Sequence, residues 1–229
     1  MLTRDRLEYA RRAVECFRSQ TYPEKKLLVY DTAKWPAYQA FSSWPANALY
    51  FHAPRFDLAI GALRNEATQF AIDEGESDID IVIHWDDDDW SHPNRIIEQV
   101  ALLQSSGVDC VGYREMLFWR ETDKTTWLYS NGDKSSCLGT SLCYWRKAWE
   151  KRPFSERNGA NPRTRGEDRK FCRGLRCLGV SSIQNGEPRM IARIHSGNAA
   201  NYPVEALSAG GPHWKRAAEW DERVKEIME

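Results

Sequence analysis

The fold is decided by residues 79–90, which read IDIVIHWDDDDW. The apolar run that ends at His84 predicts a buried β-strand, and four consecutive carboxylates follow it directly. Four adjacent carboxylates repel one another, so they need an offsetting cation or full solvation. Open α/β sheets bind ligands at the carboxyl ends of their strands, where carboxylate oxygens can hold hard cations such as Mg²⁺ or Mn²⁺. The acid run, residues 86–89, therefore predicts either a metal site for a diphosphate or a solvated, Ca²⁺-binding or helix-capping loop ahead of Pro93.

Outward from this stretch, helical and strand patterns alternate along the chain. Apolar spacing predicts helices at residues 7–17, 61–72, 93–105, 146–151, 166–178 and 214–228. Short apolar runs predict strands at 26–30, 48–52, 79–84, 108–113, 137–144, 180–184 and 190–195, with a hairpin at 116–120 and 126–130. Parallel units come first and antiparallel pieces later. This order predicts a single α/β domain with a mostly parallel, Rossmann-like central sheet.

The composition is that of a folded globular protein. The chain has 229 residues, 41% hydrophobic and 28% charged, which excludes a collagen, a coiled coil and a mostly disordered chain. Its 32 basic and 33 acidic residues give a formal net charge of -1, so the whole chain is not a polycation for nucleic acid or anionic membranes. It contains neither a transmembrane segment nor a secretory signal. We expect a cytoplasmic protein, in the host cytoplasm if the source is viral.

Six cysteines are scattered along the chain without a Cys-x-x-Cys pair: Cys16, Cys110, Cys137, Cys143, Cys172 and Cys177. This spacing favours reduced, mostly buried thiols over a structural zinc knuckle. It predicts no disulfide.

Several stretches, in this order, resemble family 2 glycosyltransferases of the GT-A fold. They are residues 11–23 followed by 27–31, residues 60–67, residues 86–90 as an Asp-x-Asp motif, Gly139-Thr140-Ser141, Gly166-Glu167-Asp168, and residues 193–198. Together they cover about residues 3–198. Each motif alone is weakly specific, but their order and spacing agree with the family.

The resemblance implies a metal-dependent transfer of a sugar from a nucleoside diphosphate, with a UDP-sugar as the expected donor and Mn²⁺ or Mg²⁺ as the ion. It implies a single displacement with inversion at the anomeric carbon. Residues 1–113 would form the nucleotide-sugar half of one GT-A domain, residues 114–198 the acceptor half, and residues 199–229 a tail and helix.

Residue by residue, the resemblance implies two groups of contacts on the donor side. The donor contacts are Thr3 beside the base, Asp31 at the nucleobase, Arg64 at the nucleotide, Asp86 at the ribose or metal, and Gly139 near the donor sugar. The metal ligands are Asp86, Asp88 and His195. Because the acid run has four members, its register is open by one position, with Asp87 and Asp89 as reserves.

On the acceptor side, the resemblance implies Asp168 as the general base, with Glu167 orienting the acceptor or supporting the base. Without the resemblance, Glu167 and Asp168 would be interpreted as acidic residues in the first turn of a helix, where the helix dipole stabilises negative charge. His195 reads equally as a strand-end histidine or a metal ligand.

The chain departs from the family at its start. Family members open with an apolar strand that ends at the equivalent of Leu2-Thr3-Arg4, and that strand is almost wholly missing here. Either a late start or another segment in the central sheet position would account for this, and it leaves the role of Thr3 open.

A basic segment indicates the acceptor. Residues 145–176 hold eleven Lys or Arg and four acids, a net charge of +7. Trp145, Arg163 and Arg165 are the predicted acceptor contacts. One acceptor that fits is a hydroxymethylated base in DNA, as in a phage-type DNA-modifying enzyme. A saccharide or lipid-linked saccharide acceptor, a solvated basic loop and a non-catalytic nucleotide-sugar or nucleic-acid binding module remain as alternatives.

Overall fold

The computed structural model describes residues 1–37, 45–55, 57–74, 79–156, 166–197 and 212–229. Within these ranges the helices are α1 (Leu7–Arg18), α2 (Ile60–Glu74), α3 (Arg95–Ser106), α4 (Arg146–Lys151), α5 (Glu167–Cys172) and α6 (Asp221–Met228). The strands are β1 (Leu2–Thr3), β2 (Leu27–Asp31), β3 (Ala48–His52), β4 (Ile81–Ile83), β5 (Trp90–Ser91), β6 (Cys110–Arg120), β7 (Thr125–Ser130), β8 (Cys143–Trp145), β9 (Cys177–Ser181), β10 (Ile183–Gln184), β11 (Glu187–Pro188), β12 (Met190–Ile194) and β13 (Trp214–Arg216). The predicted α/β class is confirmed.

A small parallel sheet carries the first half of the chain. Its strand order is β1-β2-β3, and Thr3 pairs with Asp31 at the carboxyl ends of β1 and β2. A parallel bridge between Leu2 and Asp86 joins this sheet to the start of the acid run. Leu2 and Thr3 thus lie beside the carboxyl end of β2.

A cavity of about 800 Å³ has β2 and β4 in its lining. Its lining includes the apolar side chains of Leu28, Ile81, Ile83 and Trp85.

The larger sheet is mixed and is built around β6. Its strand order includes β13-β7-β6-β12-β5, while β9 also pairs with β6, and β8 bridges β6 and β4. Two of the partners of β6, β9 and β12, are parallel to it, and β7 and β8 are antiparallel. Residues 108–113 and 116–120, predicted as separate strands, form this one strand because an irregularity between Tyr113 and Glu115 lets it change partners.

Two helix predictions were too long. The helix predicted for 166–178 ends at Cys172, since Cys177 is already paired with Cys110 at the start of β9. The helix predicted for 214–228 begins only at Asp221, because Trp214–Arg216 pairs with the edge of β7 as β13. In both places a sheet edge overrides a helical apolar spacing.

The described residues include no helix that is both long and apolar enough to cross a membrane.

Candidate active site

The four acids of the acid run divide into an inward and an outward pair. Asp87 is buried and accepts hydrogen bonds from Thr3 Oγ1 at 2.7 Å and Arg6 Nη2 at 3.0 Å. Asp89 is buried and accepts from the Arg193 backbone N–H at 3.1 Å and from the Thr140 hydroxyl. Asp86 and Asp88 are only partly buried. Asp87 and Asp89 therefore form an inward, buried pair, and Asp86 and Asp88 form an outward, partly exposed pair.

Burial raises the pKa of both inward carboxyls. It raises the pKa of Asp87 to about 7, although the neighbouring Arg6 charge opposes the shift. It also raises the pKa of Asp89, where Asp88 and Asp86 add to the shift and the Thr140 hydrogen bond opposes it. Burial of the negative charges of Asp87 and Asp89 is unfavourable, and local hydrogen bonds and the charge of Arg6 offset part of this unfavourable energy.

Asp88 and His195 converge on one point. His195 Nε2 lies 3.0 Å from Asp88 Oδ2, and the His195 side chain is 7% exposed. The guanidinium of Arg6 is at the same place, with Nη1 2.9 Å from Asp88 Oδ2 and 3.5 Å from His195 Nε2. The structure therefore brings two of the three predicted metal ligands together around a cation that the chain itself supplies.

The donor set fits a hard divalent cation. One carboxylate oxygen from each of Asp86, Asp88 and Asp89 lies within 4.8 Å of the others, and the imidazole of His195 adds a nitrogen. Carboxylate oxygens and a neutral imidazole are ordinary ligands for Mn²⁺. Asp89 is held by Arg193 and Thr140, so Asp86 and Asp88 are the acids of this group that are more available to an ion. His195 contacts Asp88 but lies outside the group of ligand atoms within 4.8 Å of one another.

The other predicted donor contacts support local structure. Thr3 is buried and donates to Asp87. Asp31 is buried and accepts from the backbone N–H of Ala33 at 2.9 Å and of Ala37 at 3.2 Å, and from the Tyr50 hydroxyl. Asp31 thus fixes the chain that follows β2, and its contact with a nucleobase stays a prediction.

Arg64 and Glu167 are brought together across the two halves of the chain. Arg64, on α2, donates from Nη1 to Glu167 Oε1 at 2.6 Å, with both side chains mostly buried. Burial raises the pKa of Glu167, while Arg64 opposes the shift and the charges of Asp168 and Asp86 add to it. The salt bridge joins α2 to the start of α5.

Asp168 packs directly against Gly139. A Cβ added at Gly139 would lie 2.8 Å from Asp168 Oδ2 and 3.0 Å from its Cβ, so a larger residue here would displace the side chain of Asp168. The Gly139 carbonyl is 2.6 Å from His84 Nδ1. Burial lowers the pKa of His84 well below its ordinary value, so the ring is neutral and can donate to this carbonyl from Nδ1. The strand before the acid run thus holds the turn on which Asp168 rests.

Trp145 is placed away from these groups. It pairs with Ile81 at the start of β4, whereas the acid run follows the end of that strand. Its ring packs with the apolar cluster around Leu103, Val111 and Cys143. The other predicted acceptor contacts, Arg163 and Arg165, lie outside the described residues.

Sequence reasoning missed two cations. Arg6 had no distinguishing pattern, because its partners are more than eighty positions away. Arg95 is fully buried and donates to the carbonyls of His84 and Thr140, at 2.9 and 3.2 Å. Its signal was available: Arg95 and Gln99 stand four residues apart on the apolar face of α3, which marks a buried polar pair.

Residues 1–177 match the protein-family model described as Glycosyl transferase family 2. His195 lies beyond the matched range. No curated protein matches the chain.

Two solved structures are similar in fold. The crystal structure of S. aureus TarS 1-349 in complex with UDP gives a TM-score of 0.62 at 15% identity, covering 84% of this chain and 59% of that chain. The crystal structure of S. aureus TarS gives 0.61 at 14% identity, covering 84% of this chain and 36% of that one. The chain therefore spans little more than half of the shorter structure. Together with the family match, these likenesses confirm the GT-A fold class expected from the sequence.

Proposed function

The chain belongs to glycosyltransferase family 2, and we propose that it transfers a sugar from a nucleoside-diphosphate donor to an acceptor hydroxyl with inversion. The observation that carries this proposal is the packing of Asp168 on Gly139, next to Thr140, whose hydroxyl donates to Asp89 of the acid run. The UDP complex of TarS, a protein of similar fold, supports UDP as the nucleotide.

Asp168 is the proposed general base. Its carboxylate accepts the proton of the acceptor hydroxyl while that oxygen attacks the anomeric carbon and the diphosphate leaves from the opposite face. Glu167 is the less suitable base because its charge is already paired with Arg64. We assign Glu167 and Arg64 to holding α5 against α2, which keeps Asp168 in place.

A hard divalent cation, Mn²⁺ or Mg²⁺, would be held by Asp86, Asp88 and His195. When bound, it supplies Lewis-acid stabilisation of the charge that develops on the leaving diphosphate. Asp87 and Asp89 keep the backbone of the run in position through Thr3, Thr140 and Arg193. The guanidinium of Arg6 balances the negative charge of Asp88. It would turn toward the diphosphate or solvent when an ion binds.

A polyanionic acceptor is supported by the surface formed by α4 and α5, which we call the basic face. Arg152 donates from Nε and Nη2 to the Lys170 carbonyl at 3.3 and 3.1 Å, so the two helices are adjacent. The exposed cations of this face are Lys147, Lys151, Arg152, Arg169, Lys170 and Arg173. Because α5 also carries Asp168, the face borders the proposed base. A hydroxymethylated base in DNA is the acceptor that this charge favours, and a saccharide is the alternative.

The test is turnover of a panel of nucleotide sugars with acceptors that include hydroxymethylated DNA and neutral saccharides. We expect release of nucleoside diphosphate with Mn²⁺ and its loss with EDTA. If no nucleotide sugar is consumed under any of these conditions, the chain is a binding module and not a transferase.

The acceptor is tested separately by salt and charge reversal. Each phosphate neutralised by Lys or Arg releases a counterion, so transfer to DNA should weaken steeply with salt, whereas donor affinity should change little. Lys151→Glu with Lys170→Glu should weaken DNA transfer, and Lys215→Glu, an exposed lysine on β13, is the matched control. Transfer to DNA that ignores salt and both reversals would return the acceptor to the saccharide class.

A further inference from the structure

Four of the six cysteines meet at one place behind α5. Sγ atoms of Cys110, Cys172 and Cys177 all lie within 4.8 Å of one another. Cys137 packs in the same buried cluster as Cys110 and Cys172. The four come from separate elements: the start of β6, the loop before Gly139, the end of α5 and the start of β9.

The cluster is shielded from solvent. Cys110, Cys137 and Cys172 are buried, and Cys177 is partly buried. They lie in one apolar cluster with Leu142, Tyr144, Trp149, Phe154 and Phe171. All four carry free thiols. A wholly apolar core has no need to collect four sulfurs at a point, since most buried cysteines pack singly as small apolar side chains.

The geometry points to a tetrathiolate site for Zn²⁺, formed by Cys110, Cys137, Cys172 and Cys177. Zinc is bound tetrahedrally by four thiolates at about 2.3 Å, which places the sulfurs about 3.8 Å apart. Three of the sulfurs already lie within 4.8 Å of one another, and Cys137 packs in the same buried cluster as the fourth thiol. The sulfurs must draw closer together to reach the spacing that zinc requires.

The site would be structural and would lie behind the proposed active site. Cys172 ends the helix that begins with Glu167 and Asp168, and Cys137 stands two residues before Gly139. One ion would join both of these elements to β6 and β9. The inference rests on the sulfur cluster and does not depend on the reaction proposed above.

The first experiment measures metal in the full-length protein expressed with zinc and purified without chelator. We expect about one Zn²⁺ per chain, as for a closed four-cysteine site. Protein reconstituted with Co²⁺ should show thiolate-to-cobalt charge-transfer absorption, which a site of carboxylates and histidine such as Asp88 and His195 does not give. This absorption should persist in Asp88→Ala.

The second experiment is substitution. Cys172→Ser should lose most of the zinc and the charge-transfer band and should unfold at a lower temperature. Cys143→Ser is the matched control, because Cys143 is a buried thiol outside the cluster, and it should keep one zinc. If Cys172→Ser does not fold, the cobalt spectrum of the unsubstituted protein still decides the question.

Three results would overturn the inference. One is unsubstituted protein that takes up neither Zn²⁺ nor Co²⁺ although its six thiols are reduced. Another is a disulfide between any two of the four cysteines in protein prepared without oxidant. The third is full zinc content in a folded Cys172→Ser variant, which would place the metal elsewhere.

Discussion

The guanidinium of Arg6 lies between Asp87 and Asp88, 3.0 and 2.9 Å from their carboxylates, with His195 Nε2 3.5 Å from Nη1. Four adjacent carboxylates can coexist at the end of a strand because their neighbours differ. Thr3 and Arg6 hold Asp87, Thr140 and Arg193 hold Asp89, and Asp88 faces both His195 and Arg6. Arg6 is therefore a cation that balances part of the negative charge of the run in this structure.

This arrangement makes Arg6→Ala informative. Removing a positive charge that shares Asp88 with the ion should raise the affinity for Mn²⁺, on the order of tenfold, or about 1.4 kcal/mol. The same change should lower the stability of the metal-free protein, because Asp87 stays buried with one partner fewer. Calorimetric Mn²⁺ titration and thermal unfolding measure both effects. Arg11→Ala, on the exposed side of α1, is the control. Weaker Mn²⁺ binding by Arg6→Ala would mean that Arg6 supports the ion.

Among the elements, the short turn at Gly139–Ser141 connects the most parts of the site. His84 and Arg95 contact its carbonyls, Thr140 contacts Asp89, and Asp168 packs on Gly139. A shift of this turn would move the acid run and the base together.

Gly139→Ala should therefore impair transfer without unfolding the protein. The new methyl group would come 2.8 Å from Asp168 Oδ2, so the side chain of Asp168 must move. We expect a loss of transfer of at least about tenfold, since small misplacements of a reacting group are costly. Gly132→Ala is the control, because no heavy atom lies within 4 Å of a Cβ there. Steady-state transfer rates with a donor-binding titration check it. Equal rates in both variants would separate Asp168 from the reaction.

The C-terminal helix α6 is attached through Asp221. Its carboxylate accepts from the Thr126 backbone N–H at 2.8 Å and from Arg216 Nη1 at 2.9 Å. The hydrogen bond from Arg216 lowers the pKa of Asp221 below its ordinary value of 3.8. A depressed native pKa stabilises the fold above the unfolded-state pKa, and this stabilisation is lost as the pH falls through the native pKa. Asp221→Asn should be less stable than wild type at neutral pH, and the difference should shrink below about pH 4. Chemical denaturation across pH measures it, and a pH-independent difference would contradict it.

The sequence predicted elements well where the pattern was local. The bounds of β3 and α4 are as expected, and the acid run does follow a strand of the larger sheet. The prediction of elements failed where pairing with a strand distant in sequence decides the structure. This is the case at β9 and β13, whose apolar residues are spaced as in a helix. The site followed the same rule. Glu167, Asp168 and Gly139 were predicted from motifs and their roles stay predictions, while Arg6 was missed because its partners are distant in sequence. The cysteine cluster was missed for the same reason.

At the scale of the whole molecule, the site lies where two sheets meet. The parallel sheet β1-β2-β3 ends at Thr3 and Asp31, and the larger sheet delivers the acid run after β4. The bridge between Leu2 and Asp86 joins them. The salt bridge between Arg64 and Glu167 makes a second connection, between α2 and α5.

The central claim is that Asp168 is the base of a glycosyl transfer whose donor and metal are held by other residues. The most direct measurement compares Asp168→Asn with the unsubstituted protein for Mn²⁺-dependent donor affinity and for transfer to the acceptor found in the panel. Asn is nearly isosteric and cannot take a proton, so we predict unchanged donor affinity and a loss of transfer on the order of 10² to 10⁴. Full transfer by Asp168→Asn, with donor affinity intact, would contradict the account.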